Sequence, residues 1–327
     1  MRYVGFDAPG DPSVLRIFEA PAPLPEAGEV QIAVEAAGVS RADALGRRGL
    51  YPPPPGHSSI LGLEVAGTVS QLGAGVERLR VGDRVCALCN GGGYAERVVV
   101  PEGSVLPLPE HWSAVEAATL PENAFTAYDN LVDRAGLEPG DTLLIHGGTS
   151  GLGTLAIGVA RALGARVFIT AGSDRKCARA IQLGAHRAIN YKTTDFVASA
   201  LAYTNGRGVD IILDLVGGDY VARDLAALAT EGRIVVLSTI GGSEARLDLS
   251  LLLRKRAKII GSSLRGRSNA EKAQIALDLQ QAIWPLLEAR RPIAPVVDSV
   301  FPFARAREAH ERLESSEHIG KIVLVPV

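Results

Sequence analysis

The chain has 327 residues, 47% of them hydrophobic, and its 34 basic and 36 acidic side chains give a formal charge of −2. This length predicts about two domains, and the balanced charge excludes bulk electrostatic recruitment of nucleic acid or of an anionic membrane. No apolar run reaches the roughly 18–20 residues of a transmembrane helix, and Asp7 and Asp11 stand where a signal peptide needs an apolar core. Three cysteines cannot build a disulfide framework, so we expect a cytoplasmic protein.

The first part of the chain, to about residue 120, contains short β segments separated by glycine and proline. Such a run is typical of a small barrel or sandwich. The predicted strands include Val30–Val39, Val65–Leu72, Arg84–Leu88 and Tyr94–Val100.

After Pro121 the pattern changes to a predicted helix, Glu122–Arg134, and then to alternating strands and helices. The apolar runs favour parallel strands buried on both faces of one sheet, so the predicted fold class is α/β, with six strands in the order 3-2-1-4-5-6. The basic run Arg254–Arg256 is expected to be a solvated loop between strands. The predicted strands are Leu143–Ile145, Arg166–Thr170, Arg187–Tyr191, Asp210–Leu215, Arg233–Ser238 and Lys258–Ser263.

The segment beyond Gly266 does not continue this alternation, and we expect it to pack on the amino-terminal β domain. The predicted domains are therefore 1–122 with 267–327, and 123–266. The predicted elements of the tail are a helix Glu271–Glu288 bent at Pro285, a strand Val296–Val300, a helix Arg305–Leu313 and a strand Lys321–Val325.

The stretch Asp141–Thr170 points most directly to function. The apolar run Thr142–Ile145 enters a glycine-rich turn, Gly147–Gly153, which is followed by a small-residue helix and a second β-branched run. Strand, turn, helix and strand in this order form a dinucleotide-binding unit. Glycine lets the backbone approach a pyrophosphate, and the N–H groups of the helix start face the anion. The predicted contacts are Gly148, Ser150, Gly151, Leu152 and Gly153, a pattern that departs from plain GxGxxG.

The next turn favours NADPH over NADH. An NAD-binding unit places Asp or Glu about 20 residues after the glycine turn, whereas the tetrapeptide TAGS stands there in this chain. Ser173 is a predicted N-cap, which puts Asp174 inside the helix. Arg175 and Lys176 then oppose the helix dipole at a cost of about 0.3–1 kcal/mol, unless the 2′-phosphate binds Ser173, Lys176 and Tyr191. The alternative is a solvated helix start beside an ordinary strand tyrosine.

These features together resemble the medium-chain dehydrogenase/reductase superfamily, and more closely its zinc-independent NADPH:quinone oxidoreductases, the zeta-crystallin-like group, especially the p53-inducible type. The resemblance implies a GroES-like β-rich catalytic domain, a Rossmann domain with a doubly wound six-stranded parallel sheet, and NADPH in the cleft between them. It runs the full length of the chain, through VSRADALGRRGLYPPPPG, ILGLEVAGTV, GGGYAERVVVPEG, IHGGTSGLGT, FITAGSDRK, INYKTTDF, ILDLVGGDY and HIGKIVL.

The resemblance also implies two catalytic candidates, Tyr51 and Ser40. Tyr51, on a loop stiffened by Pro52–Pro55, is implied to lie over the nicotinamide; its alternative is an exposed loop tyrosine. Ser40 stands where these enzymes usually have Asn, so it keeps a hydroxyl but loses the amide. For Ile240 and Leu264 the alternative is core packing. The implied cofactor contacts beyond the glycine turn are Tyr51, Thr126, Gly172, Ser173, Lys176, Tyr191, Ile240, Gly241, Leu264 and Arg265.

The segments that carry zinc ligands in related alcohol dehydrogenases lack them here. Those enzymes use G-x-C-x-x-D and G-H-E, but Ser40 and Leu63 stand in place of the Cys and the His. Three cysteines also exclude a four-cysteine zinc lobe, so we expect no metal. We expect Cys86 and Cys89 to be packed thiols, and His146 to be a packed or hydrogen-bonded histidine.

Quinone reduction with NADPH fits a chain in which no Ser-His-Asp set, Cys-His pair or paired carboxylates are evident, because a quinone needs little activation. One alternative is NADPH-dependent reduction of an activated C=C bond in a 2-alkenal, an enone or an enoyl thioester; its α-carbon needs an acid, for which Tyr51 is the evident candidate. Another is a non-enzymatic NADPH-binding structural or RNA-binding protein, although we expect neither nucleic acid nor a membrane as a partner. The resemblance implies a homodimer through the edge strand Lys258–Ser263.

Overall fold

A computed structural model describes residues 1–288 and 293–326. The predicted domain range 267–327 therefore includes positions, 289–292 and 327, that lie outside the described residues. The strands, in chain order, are β1 Arg2–Gly5, β2 Arg16–Glu19, β3 Glu29–Val39, β4 Glu64–Leu72, β5 Arg84–Leu88, β6 Arg97–Pro101, β7 Val105–Pro107, β8 Thr142–Ile145, β9 Arg166–Ala171, β10 Arg187–Asn190, β11 Val209–Asp214, β12 Leu228–Val236, β13 Lys258–Gly261, β14 Val297–Pro302 and β15 Lys321–Val325.

Most of the α-helices are short. In chain order, the α-helices are α1 Arg41–Arg47, α2 Ala114–Ala117, α3 Pro121–Tyr128, α4 Gly151–Ala162, α5 Asp174–Gln182, α6 Phe196–Tyr203, α7 Tyr220–Ala227, α8 Leu249–Lys255, α9 Asn269–Ala282, α10 Trp284–Glu288 and α11 Ala306–Glu314. No helix among the described residues is long and apolar enough to cross a bilayer.

The first compact unit contains residues 1–125, 267–288 and 295–326. Its main sheet has seven strands in the order β14-β15-β3-β4-β5-β7, and β6 pairs with β3 as well. The pairing is antiparallel except between β14 and β15. Because β15 pairs with β3, opposing Ile322 to Val39, the last strand of the chain completes a sheet that the amino-terminal part begins. The core of this unit is rich in valine and isoleucine, which suit a pleated buried surface.

The second unit contains residues 126–266 and 293–294 and is built on a six-stranded sheet. All neighbouring strands are parallel, in the order β10-β9-β8-β11-β12-β13. This confirms the predicted α/β class and the order 3-2-1-4-5-6. The short runs TLLI and VFIT are fully buried because helices cover both faces of such a sheet. Gly164 and Gly184 adopt positive φ where α4 and α5 end, as predicted.

Two predicted helices differ from the structure. The segment Glu122–Arg134 is α-helical only to Tyr128 and continues as a π-helix, Asp129–Arg134. The wider turn brings Asp129 and Arg134, five residues apart, into an ion pair of 3.0 Å. The segment Glu271–Glu288 is interrupted at Ile283. A break replaces the predicted bend because Pro285 has no N–H to donate to the preceding turn and its ring clashes with the carbonyl group four residues earlier, whereas proline is tolerated in the first turn of the new helix α10.

The expectation of a solvated loop at Arg254–Arg256 is wrong. Arg254 and Lys255 close the last turn of α8, and Arg256 is its left-handed C-cap. The Lys255 ammonium donates to the carbonyl oxygens of Leu225 and Ala226, at 2.9 and 2.8 Å, near the end of α7. Burial lowers the pKa of Lys255. This lysine therefore satisfies carbonyl groups that a helix end leaves without partners.

Candidate cofactor-binding and active site

The glycine turn after β8 is shaped so that several of its positions admit only glycine. Gly147 has a φ of +69°. A Cβ on Gly148 would lie 2.4 Å from the Ile169 Cβ, and one on Gly153 would lie 2.5 Å from the Gly147 oxygen. Ser150 is the N-cap of α4, and its hydroxyl accepts from the Gly153 N–H at 3.0 Å. The turn therefore presents the backbone of its glycines at the start of a helix.

The first turn of α4 contains no acidic side chain. Gly151 and Leu152 open this helix, and Leu152 packs against the buried core of the unit. The positive end of the helix dipole is therefore left for an external anion. The geometry fits the diphosphate of a dinucleotide.

The turn after β9 brings four predicted contacts together. Ser173 caps α5, and its hydroxyl accepts from the Lys176 N–H at 3.4 Å. A Cβ on Gly172 would lie 2.9 Å from the Tyr191 hydroxyl, so that hydroxyl lies directly over the glycine. Tyr191 is 44% exposed. The Ser173 and Tyr191 hydroxyls thus lie beside the open backbone of Gly172, next to the helix turn that contains Lys176, and this arrangement fits a phosphate.

The predicted place of Asp174 inside α5 is confirmed. Its carboxylate accepts a hydrogen bond from the Asn190 amide at 2.8 Å. An acid that binds a ribose 2′-OH stands at the end of this strand. Asp174 instead lies within the helix that follows and links it to the end of β10.

The other predicted contacts of this unit lie on separate segments. Ile240 is 61% exposed, so the alternative of core packing is wrong for it. The Gly241 N–H donates to the Val216 oxygen at 2.8 Å, which holds this loop against the end of β11. Leu264 and Arg265 are half-buried beyond β13. Thr126 lies in α3, and its carbonyl accepts from the Asn130 amide at 2.6 Å.

In the first unit, Ser40 is the N-cap of α1. Its hydroxyl and Asp43 form a capping box, and the Asp43 carboxylate also accepts from the Gly62 N–H at 2.9 Å. Asp43 therefore joins two segments that carry zinc ligands in the zinc-dependent relatives. Burial raises the pKa of Asp43. Tyr51 is half-buried on the loop that follows, and its carbonyl oxygen lies 3.5 Å from the Cβ position of Gly46.

A buried lysine lies among carboxylates next to these segments. The Lys321 ammonium contacts Glu64 and lies 2.9 Å from the Glu122 carboxylate, while the Glu122 N–H donates to Glu64 at 3.0 Å. Burial raises the pKa of Glu64 to about 7, against the opposing effect of Lys321. Burial alone lowers the pKa of Lys321, but Glu122 and Glu64 outweigh it and raise that pKa. Sequence reasoning missed this cluster; the one local signal is a lysine that opens the buried strand KIVLV.

No group of three or more His, Cys, Asp or Glu side chains is placed to hold a metal ion anywhere in residues 1–288 and 293–326. Leu63 is buried, and Ser40 is occupied in its cap. The prediction of packed thiols is confirmed, since Cys86 and Cys89 are free and buried. Burial raises the pKa of both thiols. The absence of a bound metal stays a prediction.

Two family models match the two parts of the chain. The model described as "Alcohol dehydrogenase GroES-like domain" matches residues 26–110, and that described as "Zinc-binding dehydrogenase" matches residues 151–281. The quinone oxidoreductase of Rattus norvegicus is 32% identical over 322 residues, which cover 97% of this chain and 95% of that protein.

A much larger enzyme is similar to the same extent. The mycocerosic acid synthase-like polyketide synthase of Mycobacterium tuberculosis is 32% identical over 317 residues, which cover 97% of this chain. The chain spans only 15% of the length of that synthase.

Solved structures cover the whole chain. The quinone oxidoreductase of Escherichia coli complexed with NADPH has 30% identity and a TM-score of 0.88 over 100% of both chains. An NAD-dependent alcohol dehydrogenase has 31% identity and a TM-score of 0.87, also over 100% of both chains. The JamJ enoyl reductase has 26% identity and a TM-score of 0.88 over 99% of this chain and 98% of its own.

Fold, turns and matches together define an oxidoreductase with a GroES-like domain and a Rossmann dinucleotide-binding domain. Within that class, the chain belongs to the quinone oxidoreductase family of the medium-chain dehydrogenases/reductases.

Proposed function

We propose that this protein is an NADPH-dependent, zinc-independent quinone oxidoreductase. One observation carries the choice of cofactor: the Tyr191 hydroxyl lies over Gly172 beside the Ser173 cap of α5, whose first turn contains Lys176, while Asp174 lies inside α5 and accepts from the Asn190 amide. A phosphate gains charge-assisted hydrogen bonds at such a place, whereas the acid of this turn, Asp174, lies inside α5 and not at the end of β9, where an NAD-binding unit has its ribose-binding acid. One structural relative is NAD-dependent and another was solved with NADPH. The choice between the two cofactors for this chain is therefore based on the turn after β9.

The residues proposed to hold NADPH fall into two sets. Gly148, Ser150, Gly151, Leu152 and Gly153 would meet the diphosphate, and Gly172, Ser173, Lys176 and Tyr191 the 2′-phosphate. The bound coenzyme supplies a hydride to the acceptor. Tyr51, Thr126, Ile240, Gly241, Leu264 and Arg265 stay proposed contacts of its other parts, and Tyr51 stays the proposed group beside the acceptor.

The absence of zinc is part of the proposal. Ser40 and Leu63 offer no metal ligand of the usual kind, and the Lys321 ammonium already compensates the buried Glu64 beside them. A divalent cation would therefore have to compete with the Lys321 ammonium for the Glu64 carboxylate. The three free cysteines fit a cytoplasmic protein.

A second candidate function is reduction of an activated C=C bond, which the similarity to enoyl reductase structures and to polyketide synthases favours. NADPH oxidation assays with 1,4-benzoquinone, 9,10-phenanthrenequinone and a 2-alkenal separate the two. The proposal predicts turnover with the quinones at a kcat/KM at least about tenfold above that for the alkenal. A preference for the alkenal would favour the second function. Saturable NADPH binding without any turnover would favour a non-enzymatic role.

We also propose a homodimer through β13. This strand is at the edge of its sheet, and an unpaired edge favours pairing with another chain. Ile259 on β13 and Leu253 on α8 are 37% and 75% exposed. Sedimentation should give a dimer for the wild type and a monomer for Ile259→Lys, with Leu24→Lys, a change at another exposed residue, as the control. A wild type that sediments as a monomer at all concentrations contradicts the dimer.

A further inference from the structure

His146 is buried between the two phosphate-binding turns, at the point where β8 leads into the first of them. Its side chain is fully buried. Nδ1 lies 3.0 Å from the Thr170 hydroxyl oxygen, and Nε2 lies 2.7 Å from an Asp224 carboxylate oxygen. The ring also packs edge-on against Phe196 and Tyr220, with centroids 4.7 and 5.0 Å away. One imidazole therefore joins β8, β9 and α7.

The hydrogen-bond roles follow from the chemistry of the partners. An ionised carboxylate only accepts, so Nε2 carries a proton toward Asp224. In the neutral ring, Nδ1 then accepts from the Thr170 hydroxyl. Burial raises the pKa of Asp224, and His146 opposes that effect. The second oxygen of Asp224 has no hydrogen-bond partner within the described residues, so His146 makes the larger compensating contribution to this carboxylate, and the charge of Arg223 adds a smaller one.

The bridge lies beside both turns. His146 directly precedes Gly147 and Gly148, and Thr170 is two residues before Gly172. The backbone makes a parallel link, because the Gly148 N–H donates to the Thr170 oxygen at 3.0 Å. The His146 side chain and a main-chain hydrogen bond thus both fix the distance between the turn after β8 and the turn after β9. A ligand that carries a diphosphate and a separate phosphate needs both turns at one distance, whereas a ligand with the diphosphate alone needs only the first.

We propose that His146 is a positioning residue for the cofactor: by holding Thr170 with one ring nitrogen and Asp224 with the other, it sets the spacing between the diphosphate turn and the 2′-phosphate turn. This role rests on the proposed function, because it presumes that both turns bind one NADPH. It goes beyond that function because it assigns part of the discrimination between NADPH and NADH to a fully buried residue that is not itself a proposed nucleotide contact.

The test uses Thr170→Val, which removes the hydroxyl but leaves the His146–Asp224 pair, with Thr170→Ser as the matched control that keeps the hydroxyl. A second variant, His146→Gln, places an amide where Nε2 meets Asp224 but cannot reach Thr170. Dissociation constants for NADPH and for NADH are measured by fluorescence titration, together with thermal unfolding and with kcat at saturating NADPH.

We expect Thr170→Val and His146→Gln to raise the Kd for NADPH about tenfold and that for NADH less than about threefold, with kcat at saturation nearly unchanged. Thr170→Ser should bind both like the wild type. Equal losses for the two nucleotides, or no loss for either, would overturn the role, since a merely structural contact does not separate them. A wild type that binds neither nucleotide overturns the proposed function itself and this role with it.

Discussion

The Ser40 hydroxyl donates to the Asp43 carboxylate across 2.9 Å, and the Asp43 N–H donates back to the same hydroxyl oxygen across 3.3 Å. The Ser40 N–H also donates to this carboxylate, at 2.8 Å. The donor capacity of the hydroxyl is therefore used within the cap of α1. A catalytic role for Ser40 stays a prediction, and the structure gives the residue a different task that is independent of the acceptor.

Replacing Ser40 separates these two roles. Ser40→Ala should lower the free energy of unfolding by about 1 kcal/mol, the usual cost of losing an N-cap, while kcat with a quinone stays within about threefold. Ser40→Asn keeps a capping side chain and should leave stability unchanged. Urea unfolding and steady-state kinetics on the three proteins give the answer. An alanine variant that is stable but inactive would assign the chemistry to this hydroxyl.

Lys176 should contribute to NADPH affinity through its charge. Lys176→Ala removes a charge-assisted hydrogen bond to the 2′-phosphate and should weaken NADPH by roughly 1.5–3 kcal/mol, with little change for NADH. Arg179 lies on the same helix and donates to the Gln182 side chain. The variant Arg179→Ala removes this other cation, so it is the control and should bind both nucleotides normally. Equal losses of NADPH and NADH in the Lys176 variant would show that this lysine does not contact the phosphate.

The buried cluster at Lys321 makes a prediction about stability. Lys321→Met leaves Glu64 and Glu122 without a counter-charge and should lower the free energy of unfolding by about 3–5 kcal/mol. The triple variant Lys321→Met, Glu64→Gln, Glu122→Gln removes all three charges and should recover most of that loss, because neutral groups of similar size cost less to bury. Urea unfolding measures both. A single variant as stable as the wild type would contradict the account of this cluster.

The burial of His310 predicts how the free energy of unfolding changes as the pH falls. Its ring is fully buried, with Nδ1 3.1 Å from the Arg47 guanidinium and Nε2 3.3 Å from the Tyr94 hydroxyl. Burial, with a contribution from Arg47, lowers the pKa of His310 from 6.5 to about 3. The folded protein thus keeps this ring neutral at pH values where the unfolded chain has already taken up a proton. The stabilisation is complete above 6.5 and is lost as the pH falls toward 3.

The measurement is urea unfolding of the wild type and of His310→Gln between about pH 7 and pH 4. The wild type should lose up to about 1.4 kcal/mol per pH unit more than the variant, which has no titrating group at this position. Parallel pH profiles for the two proteins would show that His310 does not take up the proton on unfolding.

Local features of the site were predictable from the sequence, and distant contacts were not. The glycine turn, the Ser173 cap and the place of Asp174 follow from residues within one strand–turn–helix unit, where spacing alone fixes the geometry. The order of the six strands follows from the handedness of successive βα units. Lys321 and Glu122, in contrast, are 199 positions apart, and Arg47 and His310 are 263 apart. Only the folded sheet brings them together.

The π-helix after Tyr128 and the helical end at Arg254–Arg256 escaped prediction for the same reason. The π-helix after Tyr128 depends on an ion pair between Asp129 and Arg134 and on Ser262, which comes from another part of the chain, 3.4 Å from the Asp129 carboxylate. The capping role of Lys255 depends on carbonyl groups of α7, about 30 residues earlier. The local pattern of apolar and polar residues does not show that Ser262 or the carbonyl groups of α7 will lie nearby.

The central claim is tested most directly by NADPH oxidation with 9,10-phenanthrenequinone before and after exhaustive dialysis against a chelator, with the metal content of the protein measured alongside. The account predicts saturable NADPH dependence, an unchanged rate after dialysis and less than about one-tenth of an equivalent of zinc. A rate that disappears with the chelator and returns with zinc, or a protein that uses NADH as well as NADPH, would contradict it.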